Sequence, residues 1–376
     1  MKMAIVEEWL VYGGAARVLE QVLTCFPHAA LFATVDGLRA DQRKHLRGRP
    51  VIESPLRLIP GARENYRRLL PLMPFAVRAH KLADYDVVLS LNHSVANGAL
   101  VSRGQLHLSY THTPMRYAWD MREDYLRQMG RMKGLLARPM LQGLRWWDAK
   151  CATRVDHYAV NSINVAGRLR RCYSRSATVI YPPVDVEAFA PGYVKDDYYL
   201  TVSRLVPYKK IDIIAEAFSG MPDRRLIIVG DGPEQGKVAA AAGPNVKLVP
   251  YQPDEEIHRL MREAKAFVYT ADEDFGIAPV EAQASGTPVI AFAKGGVLET
   301  VISQDHQDPT GVLFHEQSPK AIRGAVRQFE LDLPRFRAAA CRSNALRFSV
   351  ERFRTELIGF VETAWGSFKG NKRESS

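Results

Sequence analysis

The chain has 376 residues, 47% of them hydrophobic and 24% charged, with a formal net charge of +10; that length suits two domains better than one. No run approaches the ~18–20 apolar residues of a membrane-spanning helix, and a start that turns acidic at Glu7 and Glu8 is not a secretory leader. Four dispersed cysteines with no CxxC pair exclude a zinc site or disulfide framework of the usual spacing and fit a reducing cytosol.

Short apolar strands and helices alternate along the chain. The predicted strand Met3–Val6 leads into Tyr12-Gly13-Gly14-Ala15-Ala16-Arg17 and a helix over Ala15–Phe26. Paired glycines there let backbone approach a phosphate or an acceptor group at a helix N-terminus. Arg57–Lys81 then carries six basic residues against Glu64 alone, with Leu, Met, Phe and Pro interleaved. Strands Val87–Leu91 and Leu106–Tyr110 precede the passage Thr111-His112-Thr113-Pro114-Met115-Arg116-Tyr117-Ala118-Trp119-Asp120. His112 follows the carboxyl end of a strand, where parallel sheets place ligands; a structural hydrogen-bonding role is the other reading of a lone histidine. Arg122–Arg154 holds eight basic residues against three acidic ones, among them Met129, Met132, Leu135, Leu136, Trp146 and Trp147. Strands His157–Val160 and Thr178–Ile180 follow, and Asn161-Ser162 between them reads as a ligand loop or a helix cap.

The segment Pro182–Gly192, with Pro182, Pro183 and Pro191, is the linker. Beyond it, strands Tyr198–Val202, Leu226–Val229, Val246–Val249, Ala266–Tyr269 and Val289–Phe292 alternate with helices over Lys210–Phe218, Glu255–Ala264 and Pro279–Ser285. Arg204 and Lys209 stand five apart on the loop leaving the first of these strands. They can reach one diphosphate, Arg as a bidentate fork and Lys as a point charge. Gly230-Asp231-Gly232 looks like a phosphate turn without being a GxGxxG; for it and for Tyr251 a purely structural turn is an equal reading. Glu273 falls in the loop after Ala266–Tyr269 and Glu281 a turn into the next helix. Between them Gly276 permits close approach, and the opening backbone N–H groups of Phe275–Ala278 suit anionic oxygens. Val350–Trp365 reads as a long amphipathic helix and 366–376 as a disordered polar tail. Alternation of this regularity implies parallel sheets covered by helices on both faces.

The Glu273-x7-Glu281 spacing, continued by Ala282-Gln283-Ala284-Ser285-Gly286-Thr287-Pro288 and by Gly295-Gly296-Val297-Leu298-Glu299-Thr300-Val301, resembles the retaining nucleotide-sugar glycosyltransferases of family 4. The passage His112–Asp120 resembles that family's bacterial O-antigen, capsule and exopolysaccharide mannosyltransferase branch. The resemblance covers nearly the whole chain and implies an α/β GT-B fold, two Rossmann-like domains facing a central cleft. An acceptor domain would span 1–185 and a donor domain 186–349. A helix over 350–365 would pack back on the first domain, ahead of the tail.

By the same resemblance, Arg204 and Lys209 neutralise the leaving nucleoside diphosphate. His112 contacts the transferred sugar, Glu273 lies against it, and Glu281 holds the donor ribose. Gly13, Gly14, Gly230, Gly232, Tyr251, Phe275, Gly276, Ile277 and Ala278 line the donor site. Many members carry Glu after Gly-Gly-Ala, where this chain has Ala16. No cofactor or metal is expected, because Asp272 and Asp274 match D-x-D as text but flank Glu273. The implied reaction moves a hexose, mannose from GDP-mannose, to a polyprenyl-diphosphate-linked saccharide with retention. A UDP-sugar donor and a non-catalytic nucleotide-sugar-binding subunit are the alternatives.

Charge locates the expected partner. Residues 1–195 hold 28 basic and 16 acidic side chains, whereas 196–376 hold 23 and 25. Basic segments interleaved with Trp and aliphatics suit reversible docking on an anionic membrane surface. The expectation is a cytoplasmic protein held peripherally at the inner face of the plasma membrane; no nucleic-acid-binding module is present.

Overall fold

The computed structural model describes residues 1–11, 13–63, 65–128 and 130–374; Tyr12, Glu64, Met129 and the tail residues Ser375 and Ser376 lie outside the described residues. The chain forms two compact units, one of Met1–Tyr181 with Phe353–Ser376 and one of Pro182–Arg352.

The first unit is built on seven strands: β1 (Met3–Leu10), β2 (Ala30–Asp36), β3 (Val51–Glu53), β4 (Val87–Asn92), β5 (Leu106–Thr111), β6 (His157–Val160) and β7 (Thr178–Val179). They run in the order β3-β2-β1-β4-β5-β6-β7, and every pair is parallel. Buried on both faces, the central strands read as nearly continuous apolar runs. Ile5, Leu89 and Leu108 join one core cluster, and Ala4, Val6 and Val88 join a second.

A 25-residue helix, Val350–Glu374, returns to this unit. Phe353, Leu357, Val361 and Ala364 recur at helical spacing and enter the cluster that holds Leu19, Val22 and Tyr110. The helix is described to Glu374, so the residues after Gly366 that composition marks as tail are helical to that point. Trp365 and Phe368 pack against the same cluster and carry the helix past the glycine.

The second unit has six strands: β8 (Tyr198–Val202), β9 (Arg225–Val229), β10 (Val246–Val249), β11 (Ala266–Tyr269), β12 (Val289–Phe292) and β13 (Gly311–Phe314). Their order is β10-β9-β8-β11-β12-β13, again all parallel. Each sheet therefore reverses its strand order once, at β1/β4 in the first unit and at β8/β11 in the second. Loops leaving those strands diverge to opposite faces and open a crevice at the carboxyl ends, the position at which such sheets bind ligands.

Candidate active site

In the second unit the loops after β8 and β11 bring the sequence-predicted charges together. The loop after β8 ends in a short 3-10 turn, Pro207–Lys209. The Lys209 ammonium lies 2.6 Å from a carboxylate oxygen of Glu273, on the loop after β11. The other oxygen of Glu273 accepts a hydrogen bond from the Tyr269 hydroxyl. The Thr270 hydroxyl donates to the Lys209 carbonyl at 2.7 Å, which ties the two loops at the backbone. Burial and the Glu273 charge push the Tyr269 phenol well above its ordinary range, so it stays a donor. Arg204 is exposed on the same loop, and among the described residues its guanidinium has no ion-pair partner.

Glycine is demanded at three points by protein rather than by ligand. A Cβ on Gly230 would sit 1.9 Å from the Ser203 carbonyl oxygen, so the turn after β9 presses directly on the loop that carries Arg204. A Cβ on Gly295, at φ +74°, would meet the Glu273 carbonyl at 2.2 Å. The 295–296 turn instead bridges Glu273, with the Gly296 N–H donating to its carbonyl at 2.9 Å. Gly232 is likewise set against the Leu205 carbonyl. These glycines clamp the loops bearing the charges.

The helix Ile277–Ala284 opens on Gly276 with no side chain capping it, leaving its first-turn N–H groups directed past Ile277 and Ala278. Phe275 is buried with its ring 5.4 Å from that of Phe348, so its side chain serves the core. Glu281 is buried one turn into the helix. Asp272 is held by Lys294 at 2.9 Å. Tyr251 is 59% exposed, and its N–H donates to the Asp231 carboxylate at 2.9 Å.

In the first unit, Gly13 precedes the helix Gly14–Cys25, again without a side-chain cap, and among the described residues nothing beyond its chain neighbours comes within 4 Å of where its Cβ would be. Ser162 takes the capping role: its hydroxyl accepts from the Val165 N–H at 3.1 Å. The His112 N–H donates to the Asn92 carbonyl at 2.8 Å, pinning the residue past the end of β5. Burial, and then the neighbouring His93, lower the His112 imidazole to about 3, so it is neutral at physiological pH.

Sequence reading missed Tyr269, Thr270 and, around His112, the residues Glu7, Glu8 and His93. Tyr269 lay inside a strand run with nothing to mark its hydroxyl. Glu8 and His93 meet across 85 positions, a separation at which spacing carries no signal.

Residues 12–188 match the Glycosyltransferase Family 4 model and residues 184–346 the Glycosyl transferases group 1 model. Among curated proteins, the D-inositol 3-phosphate glycosyltransferase of Mycobacterium marinum is 26% identical over 326 residues, 79% of this chain and 68% of that protein. The Mycobacterium bovis protein of the same name is 30% identical over 220 residues, 52% of this chain and 45% of its own length. The chain thus spans between about half and two thirds of these relatives. Among solved structures, Anabaena HepE in complex with UDP superposes with a TM-score of 0.72 at 18% identity, covering 96% of this chain and 100% of that one. Sucrose-phosphate synthase from Thermosynechococcus elongatus superposes at 0.71 and 20% identity, covering 98% and 100%.

Proposed function

We propose that this chain, which matches the Glycosyltransferase Family 4 model over 12–188 and the Glycosyl transferases group 1 model over 184–346, is a glycosyltransferase of the GT-B type that moves mannose from GDP-mannose onto a polyprenyl-diphosphate-linked saccharide of a bacterial surface polysaccharide. The observation that carries the donor half of this reading is the Lys209–Glu273 pair at the β8/β11 switch, with Arg204 exposed on the loop that carries Lys209. Breaking the bond between the anomeric carbon and the diphosphate leaves the electron pair on a phosphate oxygen. The acceptor hydroxyl forms the new bond and gives its proton to the departing diphosphate oxygen. The developing phosphate charge is the largest thing to stabilise, and fixed cations and backbone N–H groups do this without reorganising. Arg204 and Lys209 supply the cations, and the uncapped N-terminus at Ile277 and Ala278 supplies the N–H groups. In this reading no metal is needed, the configuration is retained, Glu281 holds the ribose and Glu273 faces the sugar.

The lipid-linked acceptor is supported by the surface of the first unit. Leu56, Met73, Leu126, Leu141 and Leu144 contribute to one core cluster, and the helices Met73–Arg78 and Arg131–Ala152 both contact the turn Ala96–Gly98. From the segments 56–77 and 126–147, Leu58, Phe75, Met132 (83% exposed), Leu135 and Trp146 (65%) project to solvent beside the exposed bases Arg57, Arg78, Arg138 and Lys150. A basic rim around exposed apolar side chains is what an anionic lipid surface binds. Divided at the unit boundaries, the first unit has 31 basic and 17 acidic side chains and the second 20 and 24. In this reading the protein works at the cytoplasmic face of the membrane.

Thermal-shift measurements with GDP, UDP and ADP and their sugars test the donor. GDP-mannose is expected to stabilise most; stabilisation by UDP-sugars alone would replace it as donor. Arg204→Ala is expected to lower transfer by about 10²–10³-fold in a folded protein, and near-normal activity would overturn the assignment.

A further inference from the structure

The first unit holds a polar cluster that the donor chemistry leaves unassigned. Glu7 and Glu8 lie on β1 and His93 follows β4, the two strands at which the sheet reverses order. Glu8 is completely buried, a costly place for a carboxylate unless it is fully bonded. One of its oxygens accepts the N–H groups of His93 and Ala96, each at 3.0 Å, and that of Ser94. The other meets Nδ1 of His93. Burial by itself would lower the His93 ring, but the charge and hydrogen bond of Glu8 outweigh it and raise the ring to about 9. His93 is therefore an imidazolium at neutral pH.

Its remaining nitrogen, Nε2, lies 3.6 Å from Glu7, beyond hydrogen-bonding distance. Burial raises the Glu7 carboxyl to about 8, so at neutral pH it keeps its proton and can donate. The His93 ring stacks on Trp9 at 4.8 Å and stands 5.9 Å from the ring of His112. Among the described residues, Nε2 of His112 is buried with no hydrogen-bond partner. One Glu7 oxygen accepts the Glu8 N–H at 3.1 Å; among the described residues its other oxygen, Nε2 of His93 and Nε2 of His112 have unfilled hydrogen-bonding capacity, while the Glu8–His93 pair and two neutral groups sum to no net charge. An anion has nothing to neutralise there and would face Glu8. Hydroxyl groups, which both donate and accept, match a protonated acid, an imidazolium N–H and a neutral imidazole.

We propose that Glu7, His93 and His112 form one hydroxyl-binding site for a sugar, and that Glu8 is the residue positioning it. This rests on the glycosyltransferase reading for the identity of the ligand as a sugar. Glu8 touches no substrate in this scheme; it fixes the turn 93–96 and the ring of His93.

The test uses the full chain labelled with 15N-histidine. In the wild type the His93 ring is expected to show the imidazolium pattern through neutral pH, and in Glu8→Gln to lose it. Free mannose, or the sugar nucleotide, should move the His93 and His112 ring signals together, whereas the nucleoside diphosphate alone should move neither. In transfer assays Glu8→Gln and Glu7→Gln should each lose on the order of 10–100-fold in kcat/KM with nucleoside diphosphate affinity unchanged. His93→Gln, which leaves the backbone bonds to Glu8 in place, guards against simple unfolding and should show the same split. Histidine signals that respond equally to diphosphate and to sugar nucleotide, or a Glu8→Gln variant with wild-type transfer, would overturn the proposal. A wild type that no nucleoside diphosphate stabilises would fail the donor reading instead, and the response to free mannose would still decide this one.

Discussion

Lys209 is engaged by Glu273 at 2.6 Å, and that pairing sets up an opposition at the scale of single residues. The ammonium proposed to receive a diphosphate is neutralised by the carboxylate proposed to face the sugar. Binding a nucleoside diphosphate must therefore compete with Glu273 for Lys209. Glu273→Gln removes the competing charge while keeping the shape and the hydrogen bond from Tyr269. Nucleoside diphosphate affinity is expected to rise several-fold, matching the ~1 kcal/mol of an ion pair still partly open to solvent. Sugar transfer should fall by about 10²-fold or more. Titration calorimetry read alongside single-turnover rates checks both signs. A variant that loses affinity and rate together would show that the pair serves to hold the loops and not to gate the cation.

At the scale of elements, the loop carrying Arg204 is held by its neighbour. Gly230→Ala would place a methyl 1.9 Å from the Ser203 carbonyl, which belongs to backbone and cannot swing aside. The expected cost is about 1–3 kcal/mol of stability, with a loss of diphosphate affinity larger than the melting shift explains. Gly236→Ala is the matched control. It lies in the helix Gln235–Ala241 with nothing within 4 Å of its Cβ, so it should stabilise by about 0.5–1 kcal/mol. A Gly230→Ala protein with unchanged affinity would detach the turn from the site. The same region shows what sequence made legible. Tyr198–Val202, Val246–Val249, Ala266–Tyr269 and Val289–Phe292 are dense apolar runs ending in polar loops, and their observed bounds coincide with the reading. Arg204, Lys209 and Glu273 were legible because they follow such strands directly. Unread were β2, diluted by Ala30 and Ala33, three-residue β3 between Pro50 and Pro55, and β13, which begins on Gly311. The glycine turns gave a signal but not its cause, since a clash with Ser203 or Glu273 exists only once the strands are side by side.

For the whole molecule, the buried titratable groups with large shifts near neutral pH are concentrated in the first unit. His80, His107 and His112 are lowered by burial to about 4, 4 and 3. Groups of that sign contribute stability present above the unfolded histidine value of about 6.5 and lost as pH falls through their folded values. Glu7 and Asp148 are raised by burial to about 8 and about 7, the latter despite hydrogen bonds from Trp119 and Tyr173. Their contribution is present below the unfolded carboxyl value of about 4 and is lost as pH rises through 7 and 8. His93, raised to about 9, loses its contribution between about 6.5 and 9. The first unit should therefore be most stable near pH 6 and weaken on both sides. The second unit contains Lys195, lowered to about 8 chiefly by burial, whose contribution changes only between about 8 and 10.4. Between about pH 4 and 8 its stability should stay comparatively flat. Scanning calorimetry across that range should resolve a transition that moves with pH and another that moves little. Glu7→Gln, which cannot ionise, should remove part of the alkaline fall of the moving transition and steepen its rise between about pH 4 and 6, where the Glu7 loss opposes the histidine gain. Two transitions shifting in parallel would show that the pH-sensitive groups are not confined to the unit that holds the proposed sugar site.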